Sequence, residues 1–264
     1  MDTRQQKYLK ILLIGDSCVD HYHYGECNRV SPEASVLILK KESSKTIDGM
    51  AGNVNNSLKA MVSNVYFHTN VEKIVKNRYV DTKHNQHLLR VDEGESIKLE
   101  PFDDNNLKNI KYDALIISDY NKGFITEEVA IRLCEKFKDI PVFVDSKKKN
   151  LSCFSNCFLK INKKEFENSI SFGENVKIII TLGPDGARHG SKVYKAEPVD
   201  VFDVSGAGDV FLSALAVCFL RTADIDRSIK VSNKCASFSV TKLGTYVLTI
   251  KDLKNTGVYD DLCV

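Results

Sequence analysis

Long apolar runs are missing from this chain of 264 residues. No stretch approaches the roughly 20 consecutive apolar residues that a helix needs to cross a bilayer, so no membrane partner is expected. The start, Met1 to Lys10, is polar, and the run Ile11-Leu12-Leu13-Ile14 is too short for a secretory leader; the expected compartment is the cytoplasm. An excess of one charge is missing as well. With 37 basic and 35 acidic residues the formal net charge is +2, which points away from nucleic acid as a partner. The short basic runs Lys147-Lys148-Lys149 and Lys163-Lys164 read as solvated surface. No internal repeat or low-complexity tract is visible. With 43% hydrophobic residues the chain is long enough to bury a full core, so residues 1–264 are expected to form one domain.

Paired metal ligands are also absent. The eight cysteines, at 18, 27, 134, 153, 157, 218, 235 and 263, include no Cys-x-x-Cys, and Cys153 and Cys157 have no histidine nearby to complete a zinc site. Cys134, Cys218 and Cys235 fall in apolar helical segments and read as small core residues, consistent with reduced thiols. The six histidines form no H-E-x-x-H pair, and His21 and His23 alternate with tyrosines as in a strand. Gly15 is not followed by the glycines of G-x-G-x-x-G, which excludes a dinucleotide-binding crossover.

What is present is an alternation of apolar strands and amphipathic helices. Strands are expected at 9–14, 65–68, 114–117, 142–144, 157–161 and 176–182, with two short ones around Gly186 and Val193. Helices are expected at 51–61, 127–137, 163–168, 207–220 and 225–240. Such alternation predicts a largely parallel sheet covered on both faces, with ligands at the carboxyl ends of its strands, where Asp16, Asp119, Asp145, Asn162 and Thr181 fall. Residues 22–47 and 74–91 are extended and alternate charged with apolar side chains, and predict a small separate sheet.

The richest stretch is Asp203-Val204-Ser205-Gly206-Ala207-Gly208-Asp209, leading into an apolar helix. First-turn amides of a helix have no internal partners and carry partial positive charge. Gly206 and Gly208 present no side chain to keep an anionic oxygen away. Asp209 adds a carboxylate to the same turn. The layout suits phosphoryl transfer, with amides at Gly206, Ala207 and Gly208 steadying charge while Asp209 takes a proton from the attacking hydroxyl.

This loop resembles the D-T-x-G-A-G-D signature of the ribokinase-like (PfkB) sugar kinases, with Val204 at the threonine position. Asn28-Arg29-Val30-Ser31-Pro32-Glu33-Ala34-Ser35-Val36 resembles R-x-S-P-E-A-P-V of the bacterial heptose-7-phosphate kinase subgroup. Asp48-Gly49-Met50-Ala51-Gly52-Asn53-Val54 is similar to the family's G-G-A-x-N-V, with Met50 where a second glycine is usual. Val75-Lys76-Asn77-Arg78, His87-Leu88-Leu89-Arg90-Val91-Asp92 and Ser118-Asp119-Tyr120-Asn121-Lys122-Gly123 resemble the subgroup's V-K-T-R, Q-L-L-R-L-D and S-D-Y-x-K-G. Asn162-Lys163-Lys164-Glu165 is similar to N-x-x-E, and Thr181-Leu182-Gly183-Pro184-Asp185-Gly186 to T-x-G-x-x-G. The family's further helix and strands between His68 and Val71, with an acidic segment, are absent here.

The resemblance implies a three-layer α/β/α sandwich with a β lid, and ATP-dependent phosphorylation of a sugar or sugar phosphate, heptose 7-phosphate first. It makes Asp209 the base and places Asp16, Asp20, Arg29, Gly49, Asn53, Lys76, Arg78, Arg90, Asp119 and Lys122 at the acceptor. Asp16 and Asp20 equally suit a turn after the first strand. On the nucleotide side the resemblance places Asn162, Glu165, Thr181, Gly183, Gly186, Asn233 and Gly244. Asn162 and Glu165 would meet magnesium, through water, though a helix cap explains that pair as well. Asp203 would lie at a monovalent cation, potassium in the first instance, and the lid would pair across a homodimer. A kinase for another small sugar or nucleoside, and a non-catalytic sugar-phosphate or nucleotide-binding protein, are the alternatives.

Overall fold

The computed structural model describes residues 8–107 and 110–263; Met1 to Lys7 of the polar start lie outside the described residues. Strand β1 (Lys10–Gly15) leads into two long strands, β2 (Ser17–Val30) and β3 (Leu37–Met50), and helix α1 (Ala51–Lys59). Strands β4 (Asn64–His68), β5 (Val75–Asp81) and β6 (Gln86–Glu93) follow. The alternating half runs β7 (Ala114–Asp119), α2 (Glu127–Lys136), β8 (Val142–Ser146), β9 (Asn150–Leu151), β10 (Phe158–Asn162), α3 (Lys163–Glu167), β11 (Ser171–Phe172) and β12 (Lys177–Thr181). A hairpin of β13 (Ala187–His189) and β14 (Lys192–Tyr194) precedes α4 (Ala207–Thr222), α5 (Ile225–Ser239), α6 (Ile250–Asn255) and α7 (Tyr259–Leu262).

The main sheet has the order β14-β13-β12-β10-β8-β7-β1-β4. From β12 to β4 every pairing is parallel, and the β13–β14 hairpin adds an antiparallel edge. Side chains alternate across a strand, so Ile11 and Leu13 point into one core with α1, α4 and α5. Leu12 and Ile14 point into the other, with α2 and the residues of β7, β8 and β10 that share their face. Burial on both faces is why these strands are almost continuously apolar. Helix α4 is buried without a break from Asp209 to Cys218, as its apolar sequence on all sides demands. The result is the expected three-layer α/β/α sandwich with a central, mostly parallel sheet.

The lid is a four-stranded sheet, β3-β2-β5-β6, in which β2 and β5 run parallel and the other pairings are antiparallel. It is longer than expected from the sequence, spanning 17–50 and 75–93, because the β2–β3 ladder continues inward to Ser17 opposite Met50. Asp20 and Gly49 are therefore lid-strand residues. Register places Lys76 beside Asp20 and Arg78 beside Tyr22, and the period of two puts all four on the lid face turned to the body, where Asp20 and Tyr22 are buried.

The short connection between β4 and β5 is tied down by Asn70. Its Oδ1 accepts from Ser17 N at 2.7 Å, and its Nδ2 donates to Glu72 O at 2.7 Å and Ser17 O at 3.3 Å. Helices α6 and α7 lie beyond the elements expected from the sequence; α6 opens with a capping box between Thr249 and Asp252, a signal that the short apolar pattern around it did not reinforce.

Candidate active site

Gly206 caps α4 at φ +78°, a left-handed backbone, and brings no capping side chain to the first-turn amides. The turn closes with Asp209 N and Val210 N both donating to Gly206 O at 3.0 Å, while Ala207 N reaches Val204 O at 3.3 Å. Asp209 is 5% exposed. Its Oδ2 accepts from Asn53 Nδ2 at 2.8 Å and its Oδ1 from the Tyr120 hydroxyl at 2.8 Å. Burial pushes the Asp209 carboxyl above the ordinary carboxylate range, the Asn53 hydrogen bond opposes this, and nearby Asp145 adds to it. A partly satisfied, buried carboxylate with spare lone pairs is suited to accept a proton.

Two lysines stand beside this aspartate, and both escaped the sequence reading. Lys160, on β10, is 2% exposed and its Nζ lies 2.5 Å from Asp145 Oδ2. A Cβ at Gly208 would fall 2.8 Å from that Nζ, so the glycine makes room for an ammonium against the α4 first turn. Lys147, just past β8, places its Nζ 2.6 Å from Glu165 Oε1 and 3.5 Å from Asp145 Oδ1. Burial alone would raise the Asp145 pKa, but Lys160 and Lys147 outweigh it and hold the carboxyl below its ordinary value. Burial would weaken the Lys147 charge, and Asp145 and Glu165 more than reverse this. The available signal for Lys160 was a single lysine inside the apolar strand Phe158-Leu159-Lys160-Ile161, since an unpaired lysine is almost never fully buried. Lys147 was hidden in a run that reads as surface.

Of the residues expected at the acceptor, Asp20, Gly49, Asn53, Lys76 and Arg78 come together. Arg78 Nε donates to Asp20 Oδ1 at 2.8 Å, and Lys76 enters no ion pair among the described residues. A Cβ at Gly49 would sit 2.2 Å from Asp20 Oδ2 and 2.6 Å from Cys18 Sγ, so any larger residue there would displace the Asp20 carboxylate and the Cys18 thiol. Burial and the Asp20 carboxylate push the Cys18 thiol up to about 12, leaving it protonated.

Other expected acceptor residues are engaged elsewhere. Asp16 is fully buried, and its carboxylate gathers the loop after β7 by accepting from Tyr120 N at 2.6 Å, Phe124 N at 3.2 Å and Lys122 N at 3.4 Å. Burial and the neighbouring Asp119 raise its pKa to about 6. Asp119, also fully buried, accepts from Ser146 Oγ at 2.6 Å, Lys148 Nζ at 2.7 Å and Asn121 N at 2.8 Å. Lys122 pairs with Glu95 and Arg90 with Asp92. Arg29 is exposed near the far end of β2, nine residues beyond Asp20, which at about 3.3 Å per residue separates it from the Asp209 cluster.

Of the residues expected on the nucleotide side, Thr181, Gly183, Gly186 and Asn233 line a cavity of about 400 Å³ between β12, α4 and α5, walled also by Phe211 and reaching Gly208. Gly186 has φ +92°, and a Cβ there would collide with Tyr194 O at 2.0 Å. Asn233 is not free to turn, since its Nδ2 donates to Tyr194 O at 2.7 Å. Asn162 and Glu165 form a reciprocal capping box on α3. Gly244 lies apart from that cavity, against Tyr22, and its N donates to Asp203 Oδ2 at 3.0 Å. Asp203 Oδ1 accepts from Ser205 N at 2.8 Å, and His87 Nε2 of the lid stands 3.5 Å from Oδ2.

Comparison with known proteins bears on this arrangement. A model of the pfkB family carbohydrate kinases matches residues 105–252. The bifunctional protein HldE of Campylobacter jejuni (serotype O:2) is 32% identical over 306 residues, covering 97% of this chain and 66% of that protein. HldE of Nitratiruptor sp. is 28% identical over 297 residues, covering 93% of this chain and 64% of that protein. The chain thus spans about two thirds of the length of these relatives. In fold it is similar to phosphofructokinase-2 from Escherichia coli, with a TM-score of 0.72 at 16% identity over 96% of this chain and 99% of that one. Ribokinase from Thermotoga maritima gives a TM-score of 0.66 at 16% identity over 94% and 99% of the two chains. The sequence match carries further than these likenesses of fold: the chain belongs to the PfkB family of carbohydrate kinases.

Proposed function

We propose that this chain transfers the γ-phosphoryl group of ATP to a hydroxyl of a sugar phosphate, with heptose 7-phosphate as the acceptor. The observation that carries the reading is Asp209, buried on the first turn of α4 and oriented by Asn53 and Tyr120, beneath a lid face that bears Asp20, Lys76 and Arg78. The acceptor hydroxyl gives its proton to Asp209 as its oxygen forms the new bond to phosphorus. The bond from phosphorus to the ADP oxygen breaks, and ADP leaves with that electron pair. The amides of Gly206 and Gly208 and the Lys160 ammonium neutralise the charge on the migrating group, a contribution on the order of 10²-fold for one such donor; the Ala207 amide, expected to join them, is turned to Val204 O. Lys76 and the remaining N–H groups of Arg78 suit the acceptor's own phosphate.

Asn162 and Glu165 fit a hydrated magnesium ion. Their side-chain oxygens keep lone pairs after forming the cap and the Lys147 contact, and magnesium typically retains water while using one or two carboxylates and the phosphates. When bound it would screen the phosphate charge. Potassium at Asp203 fits less well, because both oxygens of that carboxylate already accept from backbone N–H groups, of Ser205 and Gly244, and His87 Nε2 stands 3.5 Å away. Val30, Val36, Leu37 and Leu89 of the lid region are exposed, which supports pairing of two copies through the lid. Eight free cysteines favour a reducing cytoplasm.

The test is ADP release by the purified protein with ATP and magnesium against a panel of sugars, nucleosides and sugar phosphates. Turnover confined to heptose 7-phosphate is the expected result. Turnover with another acceptor keeps the chemistry and changes the substrate, and ATP binding without turnover on any acceptor overturns the enzyme reading.

A further inference from the structure

Beyond the base and the helix terminus, the site holds a second, more mobile cation, Lys147. Lys147 Nζ is shared between Glu165 Oε1 at 2.6 Å and Asp145 Oδ1 at 3.5 Å. It stands 5.5 Å from the centroid of the Tyr120 ring, whose hydroxyl holds Asp209. Lys160, the other cation, is 2% exposed and locked on Asp145 at 2.5 Å. The Lys147 side chain is 31% exposed, so it can move while Lys160 cannot. Lys147 also lines a cavity of about 400 Å³ with Asn162, Glu165, Lys149 and Lys164. That cavity is strongly basic, and Asn162 at its wall is paired in register with Thr181 of the nucleotide-side cavity.

We propose that Lys147 is a catalytic cation that leaves Glu165 for the terminal phosphate of a bound nucleoside triphosphate. In the resting state Glu165 and Asp145 keep Lys147 charged and close to Asp209. Entry of the polyphosphate brings a denser negative charge than the single Glu165 carboxylate, and the ammonium turns to it. Lys147 then holds a terminal phosphate oxygen through the transfer, while Glu165 becomes free to accept from water. No proton is exchanged by Lys147; it supplies charge and one or two N–H donors. Asp145 is the fixed partner of both lysines and prevents their mutual repulsion from opening the site. This assignment rests on the phosphoryl-transfer reading above but makes a binding prediction that stands without it.

The experiment compares wild type with Lys147→Met and Lys147→Arg, using a non-hydrolysable ATP analogue and ADP in calorimetry, and melting to establish folding. In Lys147→Met the affinity for ADP is expected to stay within about threefold, while the preference for the triphosphate over the diphosphate falls by about tenfold or more. With the acceptor that wild type uses, kcat falls roughly 10²–10³-fold while the acceptor KM moves by less than about fivefold, and Lys147→Arg recovers part of both losses. An unchanged triphosphate preference together with kcat within about threefold of wild type overturns the assignment. Should Lys147→Met fail to fold, Glu165→Gln decides: it keeps the cap geometry, frees Lys147, and is expected to tighten metal-free binding of the triphosphate analogue. Unchanged or weaker binding there counts against the proposal. If wild type turns over no acceptor, the kinase reading fails, and the triphosphate-to-diphosphate ratio still settles the place of Lys147.

Discussion

Asn53 and Asp209 lie 156 positions apart and are joined by a hydrogen bond of 2.8 Å. Asn53 sits in the first turn of α1, directly after the lid strand that ends at Met50. One contact therefore links the inner end of the lid to the proposed base on α4. The same amide favours the ionised form of a carboxylate that burial raises. The base works only when ionised, so activity rises with pH through the raised pKa of Asp209, and the acid limb lies above the ordinary carboxylate range. Asn53→Ala removes a stabiliser of the charge and is expected to move that limb to higher pH, with kcat at neutral pH lower by about tenfold. Asp209→Asn is expected to abolish turnover and leave nucleotide binding intact. A profile of kcat/KM against pH checks the first, and a turnover assay with calorimetry of nucleotide binding checks the second; a limb that stays put or moves to lower pH in Asn53→Ala would count against Asp209 as the base.

Asp16 should leave its mark on stability instead of on turnover. Its pKa is about 6 in the folded protein against a reference of 3.8, because burial and Asp119 disfavour the charge more than three backbone amides support it. The native state therefore binds the proton more tightly than the unfolded chain. Asp16's stabilising share is fully present below pH 3.8 and is lost as pH rises through about 6, a change on the order of 3 kcal/mol. Denaturant melts of wild type and Asp16→Asn across this range isolate the effect, since other groups cancel in the difference. The wild-type advantage should shrink as pH rises; a difference that is flat across the window removes the argument.

Much of this was legible in the chain because it depends on period and local chemistry. Two-sided burial gives continuous apolar strands, so 114–117 and 142–144 announced a parallel sheet, and the Gly206 to Asp209 turn announced its helix terminus. Pairing chemistry was less legible. Asp16 and Asp119 stand at strand ends as ligands do, yet their oxygens are taken up by amides, a serine and Lys148. That depends on loop geometry after β7, which no local pattern reports. Lys147 and Lys160 needed the third dimension in another way, since Glu165 reaches Lys147 from α3 and Asp145 reaches Lys160 from the neighbouring strand β8. Arg29 shows the reverse case, a motif residue carried away from the Asp209 cluster by the length of β2.

Asn70 is expected to be the main tie of the short β4–β5 connection, beside the Thr69 Oγ1 to Ser17 Oγ bond of 2.6 Å. Its amide makes bonds to Ser17 N, Ser17 O and Glu72 O, and the residue is 8% exposed. Asn70→Ala would leave these half-buried backbone groups without their protein partner, at a cost of about 1–2 kcal/mol. Thermal melting should show a fall of several degrees, with Asn70→Asp losing part of that because it retains the acceptor toward Ser17 N. A melting point unchanged in Asn70→Ala would mean that the connection is held by something else.

Met50 tests whether a glycine was replaced without relaxing the backbone. It lies at φ 56° and ψ −130°, a region that glycine enters freely and that costs other residues about 1–3 kcal/mol. Its side chain nevertheless packs in the core at 5% exposure, and removing such a side chain costs about 2–5 kcal/mol. Packing is the larger quantity, so both Met50→Ala and Met50→Gly should be less stable than wild type. The two truncations differ by strain: alanine keeps the unfavourable backbone and glycine relieves it. Glycine recovers more than the extra freedom it adds to the unfolded chain, a penalty of about 1 kcal/mol or less. Met50→Gly is therefore expected to exceed Met50→Ala in stability by about 1 kcal/mol, measured by denaturant titration. Because the same residue ends the lid strand and opens the helix that carries Asn53, the ranking should reappear in kcat, with Met50→Gly the more active. If alanine proves as stable as glycine at this position, the strain is not there and the methionine is held by packing alone.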